Sequence, residues 1–160
     1  MTIHLAAGLA VVEGRVLLVA SRYANQPEPL WNLPGGRQKA GELLTETVER
    51  EVCEETGLHV RVGKLAYVSE SYDGETHYLS ACFHVDLVSV SSTFDAPLAD
   101  KVRKDHVVAW DWVALDQLTE RVVVAVVREP LLAYLRGELV QRYAGFHEAG
   151  ITIEWPPDSE

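Results

Sequence analysis

Residues 36–58 read GRQKAGELLTETVEREVCEETGL, and the rest of the chain is understood outward from this stretch, Gly36–Leu58. Leu44, Val48 and Val52 stand four apart with Cys53 beside them, which is the stripe of a core-facing helix. The spacing predicts a helix from about Leu43 to Thr56, closed by Gly57 as the left-handed residue after its last turn. Thr45 is the nearest candidate for an N-terminal cap. Between Glu42 and Glu55 there are six glutamates: Glu42, Glu46, Glu49, Glu51, Glu54 and Glu55. Glu51, Glu54 and Glu55 fall at i, i+3 and i+4, on one face and mainly off the apolar stripe. Like charges at that spacing destabilise a helix. Two readings follow: an ordinary solvated face, or a set of hard oxygen ligands for a divalent cation.

The spacing favours the second. After Gly36 come five residues, Glu42, seven residues, and then Arg50-Glu51-Val52-Cys53-Glu54-Glu55-Thr56-Gly57-Leu58. This resembles the Nudix box, whose pattern is G, five of any kind, E, seven of any kind, R-E-apolar-x-E-E-x-G-apolar. Every fixed position is filled, and Trp31-x-x-Pro34-Gly35-Gly36 just before it also matches many Nudix proteins. The box spans 23 residues, and the strand pattern around it is compatible over roughly residues 1–137.

The resemblance implies an α/β/α sandwich with a mixed sheet, a Mg²⁺ cofactor for which Mn²⁺ substitutes, and cleavage of a pyrophosphate bond. It implies that Glu54 and Glu55 are metal ligands and that Glu51 is a ligand or the general base. Pyrophosphate hydrolysis brings water onto a phosphorus shielded by negative oxygens. Cations that neutralise those oxygens and acidify the water therefore suit the chemistry. The glycine turn at Gly35-Gly36 is expected to bring a backbone carbonyl, that of Gly36, to the metal. Arg50 is read as an ion-pair partner that orients the glutamates, with Glu46 four before it and Glu54 four after, or as a substrate contact. Glu42 either ligates or anchors the loop. The family often adds an acid outside the box; Asp105 is the first candidate, with Asp111 and Glu70 behind it.

Composition agrees with such an enzyme. The chain has 160 residues, which suits one domain, and 48% of them are hydrophobic. A net charge of −10 argues against nucleic-acid binding by simple charge attraction, and DNA is not expected as a partner. Two cysteines, Cys53 and Cys82, give no disulfide framework, so a reducing, cytoplasmic setting is expected. No apolar run approaches a membrane span, and the N-terminus reads as a strand rather than a signal peptide.

Around the box, Ile3–Val12 and Arg15–Ser21 flank Glu13-Gly14 and read as a β-hairpin. Residues 22–29 read as a loop, Trp31–Leu33 as a short strand, and Pro34-Gly35-Gly36 as its break. His59–Glu70 and His77–Val88 form a second hairpin around Asp73-Gly74. Val90–Lys104 reads as a loop, His106–Val113 as a strand, Leu115–Leu118 as a helical turn. A helix is expected from about Val126 to Gly137, with Pro130 favouring a start near itself. Residues 138–160 are unassigned apart from a short strand at Ile151–Trp155. The family often forms homodimers, and this tail is the segment that would serve one.

Candidate substrate contacts lie outside the box. Arg22 either meets a phosphate or is a surface arginine, Trp31 either stacks on a base or packs in the core, and Tyr72 and His77, which border the hairpin turn, either face the pocket or stand exposed. Asp105 stands at the start of a strand. Markers of several Nudix subfamilies are missing; no proline, for example, lies between Leu58 and Pro97, where enzymes resembling ADP-ribose pyrophosphatases carry one. The expected substrate is therefore a small nucleoside di- or triphosphate, or a nucleoside diphosphate linked to another moiety. The competing readings are a pyrophosphohydrolase of RNA 5′ ends and a non-catalytic Nudix module that senses a nucleotide.

Overall fold

The structure, a computed structural model, describes residues 1–88 and 106–154. Its strands are β1 (Thr2–Leu9), β2 (Val11–Val12), β3 (Arg15–Ser21), β4 (Leu30–Asn32), β5 (Gly35–Arg37), β6 (Val60–Asp73), β7 (Thr76–Leu87), β8 (Val107–Ala114) and β9 (Tyr143–Phe146). Its helices are α1 (Leu44–Thr56), α2 (Leu118–Arg121) and α3 (Ala125–Leu135), with a 3₁₀ turn at Leu115–Gln117. One mixed sheet runs β5-β1-β7-β6-β9; β1 pairs parallel with β7, and β6 parallel with β9. A second sheet is built on β3, with β2 and β4 along one side and β8 along the other.

Alternation along the strands divides the core in two. Ala6, Ala10, Leu17, Val85 and Trp112 pack against Val48 and Val52 of α1. Leu9, Val16, Leu18, Cys82 and Val113 pack on the other side with Leu131 of α3. Helices thus cover both faces, which is the mixed α/β sandwich expected from the sequence. Among the described residues no helix is long and apolar enough to cross a membrane.

Helix α1 starts and stops where its sequence directs. Gly57 takes a φ of 80° and donates its N–H to Cys53 O at 2.8 Å, closing the last turn. The N-terminal end differs from expectation. Leu43 holds the cap position, Thr45 lies inside the helix, and the Glu46 carboxylate accepts the Leu43 N–H at 2.7 Å. Only the glutamate half of a capping box can form, because leucine has no acceptor.

Three other expectations are corrected. The run Ile3–Val12 is not one strand of a hairpin. Only Val11–Val12 fold back on β3 across Glu13-Gly14, while β1 leaves for the other sheet and pairs with β7. Gly35 and Gly36 do not break a strand; they belong to β5, which pairs antiparallel with Ala7 and Ala6. Helix α3 begins at Ala125, next to the start expected at about Val126, so Pro130 sits inside it, buried, and does not mark its beginning. The strand expected at Ile151–Trp155 does not form over its described part, since residues 151–154 are irregular, and Tyr143–Phe146 supplies an added strand. The second hairpin is tighter than its sequence implied, since Asp73 pairs directly with Thr76. The expected loop at Val90–Lys104 lies outside the described residues.

Candidate active site

The box places its carboxylates where β5 meets α1. Glu51 is 1% exposed and Glu55 3%, so two of the three glutamates are buried and the solvated-face reading fails for them. Burying a carboxylate is costly unless something neutralises it. Arg50 supplies a cation. Its Nη1 donates to Glu51 Oε2 at 3.0 Å and to Glu54 Oε1 at 3.2 Å. Its Nε donates to Glu42 Oε2 at 2.6 Å, and its Nη2 to Glu42 Oε1 at 3.1 Å and to the Arg37 carbonyl at 3.0 Å. One planar fork thus ties three carboxylates to the β5 backbone. Glu46, expected as a partner of Arg50, instead caps the helix.

Glu42 anchors the loop. Its carboxylate accepts from Arg50, from the Lys39 N–H at 2.9 Å and from the Thr47 hydroxyl at 2.9 Å. The Arg50 hydrogen bonds are the main reason its carboxyl is held down to about 2.

Glycine is required at the approach of β5 to α1. A Cβ on Gly36 would lie 2.6 Å from Glu51 Cδ, inside contact distance. A Cβ on Gly35 would lie 2.7 Å from Ala7 Cα. The Gly35 N–H also donates to Glu55 Oε1 at 3.0 Å, orienting that carboxylate.

Among the described residues no group of three His, Cys, Asp or Glu side chains already converges as a metal cage. Glu51 and Glu54 accept from Arg50, and Glu55 accepts from the Gly35 N–H. A Mg²⁺ ion keeps several waters and needs only one or two carboxylates plus substrate phosphate. The donor set, carboxylate oxygens beside a backbone free of side chains, fits such a hard cation.

A cavity of about 210 Å³ opens beside this centre, with Glu55, Gly35, Gly36 and Arg37 at one end. Its floor is the face of the mixed sheet presenting Leu5, Ala7, Ser69, Ser71, Tyr78 and Ser80. Trp31, Tyr23, Ser21 and His106 line it from the second sheet and the loop after β3. Polar groups stand at intervals on otherwise apolar walls, as in sites for small molecules.

The residues expected outside the box fare unequally. Trp31 lines the cavity, and the Arg121 guanidinium lies 4.6 Å from its ring centroid. Arg121 also pairs with Asp111 at 3.1 Å, so Asp111 is occupied with that cation. Arg22 is exposed and is not brought to the cavity; its N–H donates to the His106 carbonyl at 2.8 Å. Tyr72 and His77 do not line the cavity either. Their rings stack on each other, 4.6 Å apart and 15° from parallel. His77 Nε2 lies 2.6 Å from Glu70 Oε2, and the Tyr143 hydroxyl donates to the same carboxylate. Those two hydrogen bonds, Tyr143 first, lower the Glu70 carboxyl. Asp105 lies outside the described residues.

Among the cavity residues that the sequence did not point to are two rings of the wall. Tyr23 and His106 line the wall with rings 6.4 Å apart. Burial pushes the Tyr23 phenol up, partly offset by its hydrogen bond with Ser21, while the charge of Glu55 adds to the rise. Alternation contained the signal: Ser21 and Tyr23 share a side of the chain that Arg22 does not.

The comparisons with known proteins agree with this geometry. The NUDIX domain family matches residues 2–135, and the chain belongs to that family. A curated ADP-ribose pyrophosphatase of Methanocaldococcus jannaschii is 35% identical over 83 residues. That match covers 51% of this chain and 48% of the relative, so the chain spans about half the length of the curated protein it matches. Among solved structures, a NUDIX hydrolase from Nitrosomonas europaea superposes with a TM-score of 0.72 at 21% identity, covering 89% of this chain and 93% of the other. The MutT protein of Methanosarcina mazei Go1 superposes with a TM-score of 0.69 at 25% identity, covering 86% and 96%.

Proposed function

We propose that this protein is a Mg²⁺-dependent hydrolase of a pyrophosphate bond, acting on a nucleoside di- or triphosphate or on a nucleoside diphosphate linked to another moiety. One observation carries the reading: buried Glu51 stands against Gly36 and buried Glu55 accepts the Gly35 N–H at the end of a cavity lined by Trp31 and Tyr23, with half-buried Glu54 joined to Glu51 through Arg50.

In this reading Glu51, Glu54 and Glu55, with the Gly36 carbonyl, would hold the cation, Mg²⁺ or Mn²⁺ in its place. Bound there, it would neutralise phosphate oxygens and lower the pKa of the attacking water. Arg50 keeps Glu51 and Glu54 together before substrate arrives, so little reorganisation is left for the reaction itself. Glu51 either completes the ligand set or takes the proton of the attacking water. Gly35 fixes the Glu55 carboxylate through its N–H. Trp31 and Tyr23 receive the nucleoside, placing the diphosphate toward Glu55. Water attacks one phosphorus, the bridging P–O bond breaks, and two phosphate-bearing products leave.

The curated relative's name makes ADP-ribose the first conjugate to test, although the expected proline marker is missing from this chain. The test is a panel with Mg²⁺ (nucleoside di- and triphosphates, ADP-ribose, capped and triphosphorylated RNA) scored for phosphate, pyrophosphate and nucleoside monophosphate release. Turnover of one small nucleotide class supports the proposal. Turnover of RNA ends alone favours the RNA reading, and no turnover at all favours a nucleotide sensor.

A further inference from the structure

Residues 149–154 run along the cavity and bridge the β6–β7 hairpin and the loop after β3. The Ala149 N–H donates to the Tyr72 carbonyl at 2.7 Å, and the Thr152 hydroxyl to Asp73 Oδ1 at 3.0 Å. On the other side Asn25 Nδ2 donates to the Thr152 carbonyl at 2.6 Å, and Gln26 Nε2 to the same oxygen at 3.2 Å. The Glu154 N–H returns a bond to Asn25 Oδ1 at 3.1 Å. The segment alternates: Ile151 and Ile153 are half-buried and line the cavity, while Thr152 and Glu154 are exposed. That alternation made it look like a strand, yet its ties are mostly to side chains of the opposing loop.

We propose that residues 149–154 are a substrate-binding strap, in which Ile151 and Ile153 form the outer wall against the nucleoside and Asn25 is the latch. This deepens the function proposed above and rests on it for the kind of ligand. An aromatic base has two apolar faces and a polar edge. Ile151, Ile153 and Trp31 offer apolar surface, and Ser71, Tyr78 and Asp73 offer partners for the edge. The latch bonds through Asn25, Gln26 and Thr152 are exposed to water, where a hydrogen bond contributes little net stability. The strap is therefore among the least costly parts of the fold to open, as entry to the cavity requires. Ile151 and Ile153 are specificity-determining residues, and Asn25 is a positioning residue that acts through them.

The test measures binding of α,β-methylene-ADP with Mg²⁺ by calorimetry. Its bridging carbon replaces the scissile oxygen, so binding is read apart from hydrolysis. The double variant Ile151→Ala/Ile153→Ala is expected to raise Kd about tenfold by removing apolar wall area. Asn25→Ala, an exposed change away from the wall, is expected to raise Kd in the same direction, and Ile151→Val/Ile153→Val to restore most of the affinity. Unchanged Kd in the alanine double variant overturns the proposal, and so does failure of the wild type to bind the probe. A wild type that binds the probe yet hydrolyses nothing overturns only the catalytic reading and leaves the strap comparison standing.

Discussion

Arg50 and Glu42 form a two-point ion pair, Nε to Oε2 at 2.6 Å and Nη2 to Oε1 at 3.1 Å, across eight residues of chain. Through it the loop before α1 is tied to the helix that carries Glu51, Glu54 and Glu55. Glu42 holds the guanidinium in place, and the guanidinium bonds Glu51 and Glu54. The guanidinium is thus engaged in ion pairs, one of the two readings the sequence left open, with Glu42 rather than Glu46 as its main partner.

Arg50→Lys keeps the charge and loses the fork. The variant is expected to lose about 2 kcal/mol of stability, the scale of charge-assisted hydrogen bonds. Activity should fall together with it. Denaturant unfolding with steady-state assays checks this; an Arg50→Lys protein with wild-type stability and turnover would show that the pair holds nothing in place.

Gly36→Ala places a methyl group against the Glu51 carboxylate. The carboxylate must move, because the β5 backbone is held by its pairing with β1. Displacing a reacting group by about 1 Å costs on the order of 10²-fold in rate. The expected outcome is a folded protein with kcat reduced on that scale; unchanged kcat would mean that Glu51 has room the structure does not show.

His84 on β7 reaches Tyr134 of α3, Nε2 to Oη at 2.6 Å. Burial is the main cause that lowers its pKa below 6.5, with Lys64 and Arg142 adding to the shift and Asp86 opposing it. The fold therefore favours neutral imidazole, and the unfolded chain binds the extra proton. This contribution to stability is complete above about pH 6.5 and is lost as the pH falls below that value. Thermal unfolding between pH 8 and pH 5 should show the decline, and His84→Gln should flatten it. An equal slope in the variant would assign the decline to other groups.

Much of the fold was legible in the sequence where the determinants are local. The four-residue spacing of Leu44, Val48 and Val52 and the glycine after Thr56 set α1 almost to the residue. What was misread depends on distant partners. Nothing within Ile3–Val12 marks the change of sheet at Ala10, because the partner of β1 is β7, more than seventy residues away. Strand β9 is the short YAGF with a glycine inside, and only β6 beside it gives it a ladder. The box glutamates were legible as a cluster, but their burial was not; it follows from Gly35 and Gly36 letting β5 close on α1. Outside the box, proximity to a turn was a poor guide. Tyr72 and His77 find each other and Glu70, while Tyr23 and His106 take the cavity wall.

The central claim is that a divalent cation held by the box carboxylates carries out the hydrolysis. The most direct measurement is turnover of the best nucleotide substrate as Mg²⁺ is removed with chelator and restored, in the wild type and in Glu51→Gln and Glu55→Gln. The account predicts that chelation abolishes wild-type turnover reversibly. It also predicts that each variant unfolds cooperatively yet loses about 10²-fold or more in kcat. Turnover that survives chelation, or full activity in both variants, would contradict it.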